Sequence, residues 1–122
     1  MLIYDISNRA TPKPIKKYNV AGSYLNGRKS EETGFVYLLS SQDCRSSDSS
    51  IPWYNLGNAK INMTLSQIFY YPVPKYNSVT FTNLLTFNLR NPMGREENAI
   101  SFLTLSSWII YMSEKFLYLT SS

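Results

Sequence analysis

The clearest pattern in this sequence is a two-residue alternation of apolar and polar positions. Apolar side chains fall on odd positions over residues 61–66 and again over residues 79–89, where Asn83 is the exception. A two-residue period places successive side chains on opposite faces of a β-strand. Both segments are therefore predicted to be strands with one dry face, and Phe81, Leu85 and Phe87 are predicted to lie in the core.

Shorter apolar runs and turn signals predict further strands. Residues 2–6, 18–25 and 35–39 fit short strands, and the dipeptide Asn26-Gly27 favours a tight type I′ hairpin turn, because both residues adopt positive φ readily. The prolines in residues 11–14 and 70–77 cannot donate to a central ladder, so those segments are predicted to be connections.

The C-terminal stretch, residues 99–119, fits two templates. Read as strands, it places Phe102, Trp108 and Met112 among the residues of one apolar face. Read as a helix, it repeats apolar residues at spacings of three and four. Its Ser, Thr, Trp, Ile and Tyr residues favour strands, and the helix is kept as the alternative.

These elements predict a mainly β fold, an antiparallel β-sandwich or partly open barrel of about six to eight strands. The alternative is an α+β fold with a C-terminal helix packed on an antiparallel sheet. The 122 residues suit one domain spanning residues 1–122. Residues 40–50 are rich in serine and are predicted to form a mobile loop.

The composition of the chain excludes several classes of catalytic and metal site. The chain has no histidine and a single cysteine, Cys44. These facts exclude His-dependent nucleophile pairs and general bases, an intrachain disulfide and a cysteine-based zinc site. No catalytic motif is present either, so we expect no catalytic residues, no metal site, no cofactor and no small-molecule ligand. The start of the chain lacks a signal-peptide pattern and no apolar run is long enough to span a membrane, which favours a cytoplasmic or virion-associated protein.

One group of residues indicates a binding function. Basic and tyrosine side chains are interleaved in the N-terminal third of a chain whose formal charge is +4. Cations can contact a nucleic-acid backbone while exposed rings stack on unpaired bases. The candidate nucleic-acid-binding residues are Lys13, Lys16, Lys17, Tyr18, Tyr24, Arg28 and Lys29. The competing interpretation is a solvated basic face beside core tyrosines.

The preferred function is a non-catalytic structural or interaction module, a self-assembling subunit of viral or surface-layer type. Ten tyrosines, two tryptophans and only 16% charged residues suit contact surfaces. The expected partner is another protein or a second copy of the chain. The alternative function is a small nucleic-acid-binding domain.

Overall fold

The computed structural model describes residues 1–44, 51–56, 58–70, 72, 79–91, 98–104, 109–113 and 115–120. These residues form eleven strands and one short 3₁₀ helix, Leu65–Gln67. The strands are β1 (Leu2–Asp5), β2 (Lys13–Lys17), β3 (Ser23–Lys29), β4 (Phe35–Asp43), β5 (Trp53–Leu56), β6 (Ala59–Asn62), β7 (Ile68–Tyr70), β8 (Thr80–Asn88), β9 (Asn98–Thr104), β10 (Ile109–Met112) and β11 (Leu117–Thr120).

The main sheet has five strands in the order β3-β4-β8-β9-β7. Strands β3, β4, β8 and β9 pair antiparallel with one another in this order, whereas β7 pairs parallel with β9. The other strands form three antiparallel pairs, called here the β1–β2, β5–β6 and β10–β11 ribbons. The predicted mainly β class with antiparallel sheets is confirmed. The helical alternative for the C-terminal stretch is wrong, because its described residues form β9, β10 and β11.

The core lies on one face of the main sheet. In the register of β4 and β8, Val36 is opposite Phe87 and Leu38 is opposite Leu85, and all four side chains are buried. The ring of Tyr18, which directly follows β2, stacks on Phe87 with ring centroids 3.9 Å apart. This contact ties the β1–β2 ribbon to the main sheet.

The opposite face of the main sheet is covered as well. Leu39, Thr82 and Leu84 point away from the core and are nevertheless buried. Leu85 and Phe87 are core residues as predicted, while Phe81 is only half-buried. The prediction of a single dry face is therefore wrong for the centre of β8.

A row of polar side chains crosses the core face of the main sheet. Ser40, Asn83 and Ser101 are neighbours on β4, β8 and β9, and all three are buried. The Asn83 amide donates to the Ala21 carbonyl at 3.0 Å and accepts from the Ser101 hydroxyl at 2.7 Å. Ser40 Oγ also donates to the Ala21 carbonyl, at 2.5 Å. The exception in the alternation of β8 is thus a buried side chain whose polar atoms are paired.

The predicted turn at Asn26-Gly27 is wrong. Both residues lie inside β3, and Gly27 does not have a positive φ. The turn between β3 and β4 comes later, where the Gly34 amide donates to the Ser30 carbonyl at 2.9 Å and Gly34 has a φ of +76°. Arg90 clamps this turn by donating from Nη2 to the Glu31 carbonyl at 2.8 Å.

Other predicted boundaries also shift. Lys13 and Pro14, predicted to lie in a connection, belong to β2. Residues 40–43 belong to β4 rather than to a loop, and residues 45–50 of the predicted mobile segment lie outside the described residues. The alternating stretch at residues 61–66 ends as a strand at Asn62, and the 3₁₀ helix follows it. Most of the predicted connection at residues 70–77 lies outside the described residues, while Tyr70 itself ends β7.

Candidate interaction surfaces

The structure places the first half of the predicted basic cluster on the β1–β2 ribbon. Lys13 and Lys17 are exposed, whereas the Lys16 ammonium lies 4.9 Å from the centroid of the Tyr18 ring. Tyr18 is 1% exposed and stacks on Phe87. Its ring therefore supports the core and has no face open to a nucleobase.

The second half of the cluster lies on β3. Arg28 and Lys29 are neighbours on this strand and point to opposite faces of the sheet. The Lys29 ammonium contacts both carboxylate oxygens of Glu31, at 3.1 and 3.2 Å. Tyr24 is 69% exposed and could stack on a base. The seven candidate residues therefore do not form one continuous surface.

A groove of about 520 Å³ lies beside the start of β3. Tyr18, Val20, Tyr24, Leu38 and Leu39 supply most of its apolar wall. Its volume falls in the range typical of small-molecule sites. The side chains of the described residues that line it are all uncharged.

The described residues offer little chemistry elsewhere. Within them, no group of three or more His, Cys, Asp or Glu side chains could hold a metal ion. Burial raises the pKa of the half-buried Cys44 thiol, the Asp43 carboxylate adds to the rise, and a hydrogen bond with the Phe81 backbone opposes it. The thiol is therefore protonated at neutral pH and is a weak nucleophile.

Most of the exposed large apolar side chains fall into three groups, a feature that the sequence analysis did not identify. The alternation of the short strands does not reveal these groups, because the sequence pattern is the same whether a large apolar side chain is exposed or buried. The groups are Leu2, Tyr4, Ile6 and Ile15 on or beside the β1–β2 ribbon, Leu65, Phe69 and Tyr70 at the β7 edge, and Tyr111, Phe116 and Tyr118 on or beside the β10–β11 ribbon.

The β10–β11 ribbon presents an aromatic face. Tyr111 and Tyr118 are opposite each other, with ring centroids 5.8 Å apart, and the Phe116 ring is 6.1 Å from that of Tyr118. Met112 and Leu117 form the next cross-strand pair and are only half-exposed. The ribbon therefore has an exposed aromatic side and a more protected aliphatic side.

The β7 edge carries the third group. Phe69 is opposite Phe102 of β9, with ring centroids 5.8 Å apart. A shallow groove of about 190 Å³ runs along this edge, lined by Phe69, Tyr70, Phe102, Leu103 and Thr104. An apolar surface thus extends from β9 onto the edge strand β7.

The model of one protein family, described as Beta propeller domain, matches residues 1–122. The chain belongs to the beta propeller domain family. Propellers are built from small antiparallel sheets, typically of four strands each. In this propeller domain, the antiparallel strands β3, β4, β8 and β9 have the strand number of one such sheet, and β7 is added to them in parallel.

Family membership fits a β-rich structural or interaction domain. Neither a curated protein nor a solved structure matches this propeller domain. Among the residues that the structure describes, no helix is long and apolar enough to cross a membrane.

Proposed function

We propose that this propeller domain is a non-catalytic interaction module that assembles with further copies of itself. The proposal is carried by the concentration of exposed large apolar side chains in three groups. Isolated apolar residues are common on protein surfaces, but contiguous exposed groups mark contact surfaces.

The chemistry of the groups supports this function. Five of the ten residues named in these groups are Tyr or Phe on or beside the β7 edge and the β10–β11 ribbon: Phe69, Tyr70, Tyr111, Phe116 and Tyr118. Aromatic residues are enriched in the centres of protein interfaces, where few charges are found. Full burial of one large apolar side chain contributes about 1.5–3 kcal/mol. Burying one group against a partner is therefore enough to offset a substantial part of the entropy cost of association.

Light scattering coupled to size-exclusion chromatography tests the proposal directly. Because self-association follows mass action, the apparent mass should rise above the 14.0 kDa of one chain as the concentration increases from about 1 to 100 µM. A mass that stays at 14.0 kDa over this range would contradict self-association.

Nucleic-acid binding is the second candidate function. One observation favours it: exposed Lys13 and Lys17 share the β1–β2 ribbon with Tyr4, which is 48% exposed. The division of the other cations between separate faces and their internal contacts weigh against it.

A further inference from the structure

The two edge strands of the main sheet differ in how well they are protected. On β3, the register shifts between Tyr24 and Asn26, and the strand ends in Arg28 and Lys29. Bulges and cations are devices that prevent a sheet edge from pairing with another chain. Strand β7, Ile68–Tyr70, contains neither, and its length of three residues is the one such device that it has. The β7 edge, called here the open edge, is therefore less protected than the β3 edge.

The open edge is also the more apolar one. Leu65 is 87% exposed, Tyr70 is 71% exposed and Phe69 is 49% exposed. Because β7 ends the order of the main sheet, no strand in the described part of the chain pairs with its outer side. An exposed sheet edge binds an added strand through main-chain hydrogen bonds, and the rings beside this edge offer apolar contacts to the side chains of such a strand.

Charge determines which partner suits this edge. Residues 61–74 include no charged side chain, and Lys60 and Lys75 lie just beyond its two ends. Two copies that each carry a net charge of +4 repel each other wherever their cations meet. A contact through the uncharged segment brings the two copies together without burying an unpaired charge.

We propose that β7 pairs antiparallel with β7 of a second copy, so that the two main sheets become one continuous sheet. This inference rests on the self-association proposed above and names its surface. A two-fold axis beside Phe69 sets this residue opposite its own counterpart and sets Ile68 opposite the counterpart of Tyr70. Since Phe69 already lies beside Phe102, the joined sheet carries a row of four phenyl rings on one face.

Lysine substitutions on the two edge strands test the surface. Tyr24 of β3 lies outside the three apolar groups, and its exposure of 69% matches the 71% of Tyr70 on β7. Phe69→Lys should weaken self-association by about tenfold or more, because it places two like charges at the two-fold axis. Tyr24→Lys should leave the association constant unchanged. Sedimentation velocity measures both constants, and circular dichroism confirms that each variant keeps its strands.

Two further variants make the test independent of the fold. Tyr70→Lys changes a more exposed side chain and should weaken association in the same way, so a folding defect of Phe69→Lys would leave the question decidable. In a Cys44→Ser background, Phe69→Cys should give a disulfide-linked dimer under mild oxidation, whereas Tyr24→Cys should not.

The outcomes separate this inference from the proposed function. If the unaltered protein associates but neither β7 lysine variant changes its affinity, the β7 contact is overturned while self-association stands. If Tyr24→Lys weakens association as strongly as Tyr70→Lys does, the effect is not specific to β7 and the β7 contact is overturned as well. If the unaltered protein is monomeric at every concentration, both proposals fail.

Discussion

At Gly22 the backbone of β4 leaves no room for a side chain. A Cβ atom there would lie 2.3 Å from the Ser41 carbonyl oxygen, and the φ of +89° is strained for other residues. Gly27 is different, since its nearest heavy atom to a Cβ would be the Tyr24 hydroxyl at 3.5 Å, an ordinary contact. Two glycines five positions apart therefore have unequal importance.

This difference predicts the outcome of two alanine substitutions. Gly22→Ala should destabilise the protein by at least about 1–3 kcal/mol, because a strained φ is added to a backbone clash. Gly27→Ala should change the free energy of unfolding by less than about 0.5–1 kcal/mol. Urea denaturation followed by circular dichroism measures both. Equal losses would show that β3 needs a glycine at position 27 after all.

The same residues show where sequence reasoning stops at this scale. The pair Asn26-Gly27 has strong turn propensity, but the Asn26 side chain accepts from the Gly27 amide at 2.8 Å within a strand. Propensity describes a local preference, and pairing of β3 with β4 over their length outweighs it. The turn that forms uses Gly34, whose positive φ only the folded backbone reveals.

Strand β8 shows the same limit for a whole element. Its position and its core residues Leu85 and Phe87 follow from the alternation, because a two-residue period is a direct consequence of strand geometry. The burial of Thr82 and Leu84 does not follow from it. A threonine on an alternating strand gives the same pattern whether water or protein covers it.

The β8 strand nevertheless supports a graded prediction. Phe87→Ala should cost about 3–5 kcal/mol, because the ring is fully buried and its loss leaves a cavity beside Tyr18. Thr86→Ala should cost less than about 1 kcal/mol, since Thr86 is half-exposed and contributes one hydrogen bond, to the Asn98 carbonyl at 3.3 Å. Thermal or urea unfolding of both variants measures the contrast. Similar costs would mean that Thr86 is packed more tightly than its exposure indicates.

The serine-rich segment is a second case in which a sequence pattern predicts the wrong element. The serine-rich composition of residues 40–50 predicts a loop, yet Ser40 is buried at the centre of the main sheet. Its hydroxyl has a partner at Ala21, which lies nineteen positions earlier. A composition argument cannot anticipate a hydrogen bond between such distant positions.

For the whole molecule, the distribution of charge bears on how well the protein could bind nucleic acid. The cations of the N-terminal third are divided between the β1–β2 ribbon and two faces of β3, and Lys29 is paired with Glu31. Few phosphates of one nucleic-acid strand could be contacted together. We therefore expect negligible oligonucleotide binding at about 150 mM salt. Fluorescence anisotropy with a labelled single strand checks this.

A specific result would reverse that ranking. Sub-micromolar binding that falls steeply between about 50 and 200 mM salt would indicate counterion release by basic residues. Replacing Lys13, Lys16, Lys17, Arg28 and Lys29 with glutamine should then flatten the salt dependence. Tyr24→Ala should also lose about 1–3 kcal/mol if its exposed ring stacks on a base. Tyr18→Ala is not informative here, because Tyr18 is part of the core.

The three exposed apolar groups are harder to predict from the sequence than any single strand. Composition indicated aromatic contact surfaces, but the three groups assemble from residues whose exposure depends on how the ribbons pack. Phe69 and Phe102 are thirty-three positions apart in sequence and meet only because β7 pairs parallel with β9. Sequence patterns locate a strand such as β8, but they do not give the order of strands in a sheet.

The buried row of Ser40, Asn83 and Ser101 has a consequence for how the strands find their alignment. Because apolar residues recur at every second position of the core face towards the end of β8, sliding β8 along β4 by two residues could still set Leu38 opposite Phe87 and Val36 opposite Leu89. Such a slip would separate Asn83 from Ser40, Ser101 and the Ala21 carbonyl, and would leave buried polar atoms without partners. The row thus favours one register of the three strands and disfavours registers that are shifted by two residues.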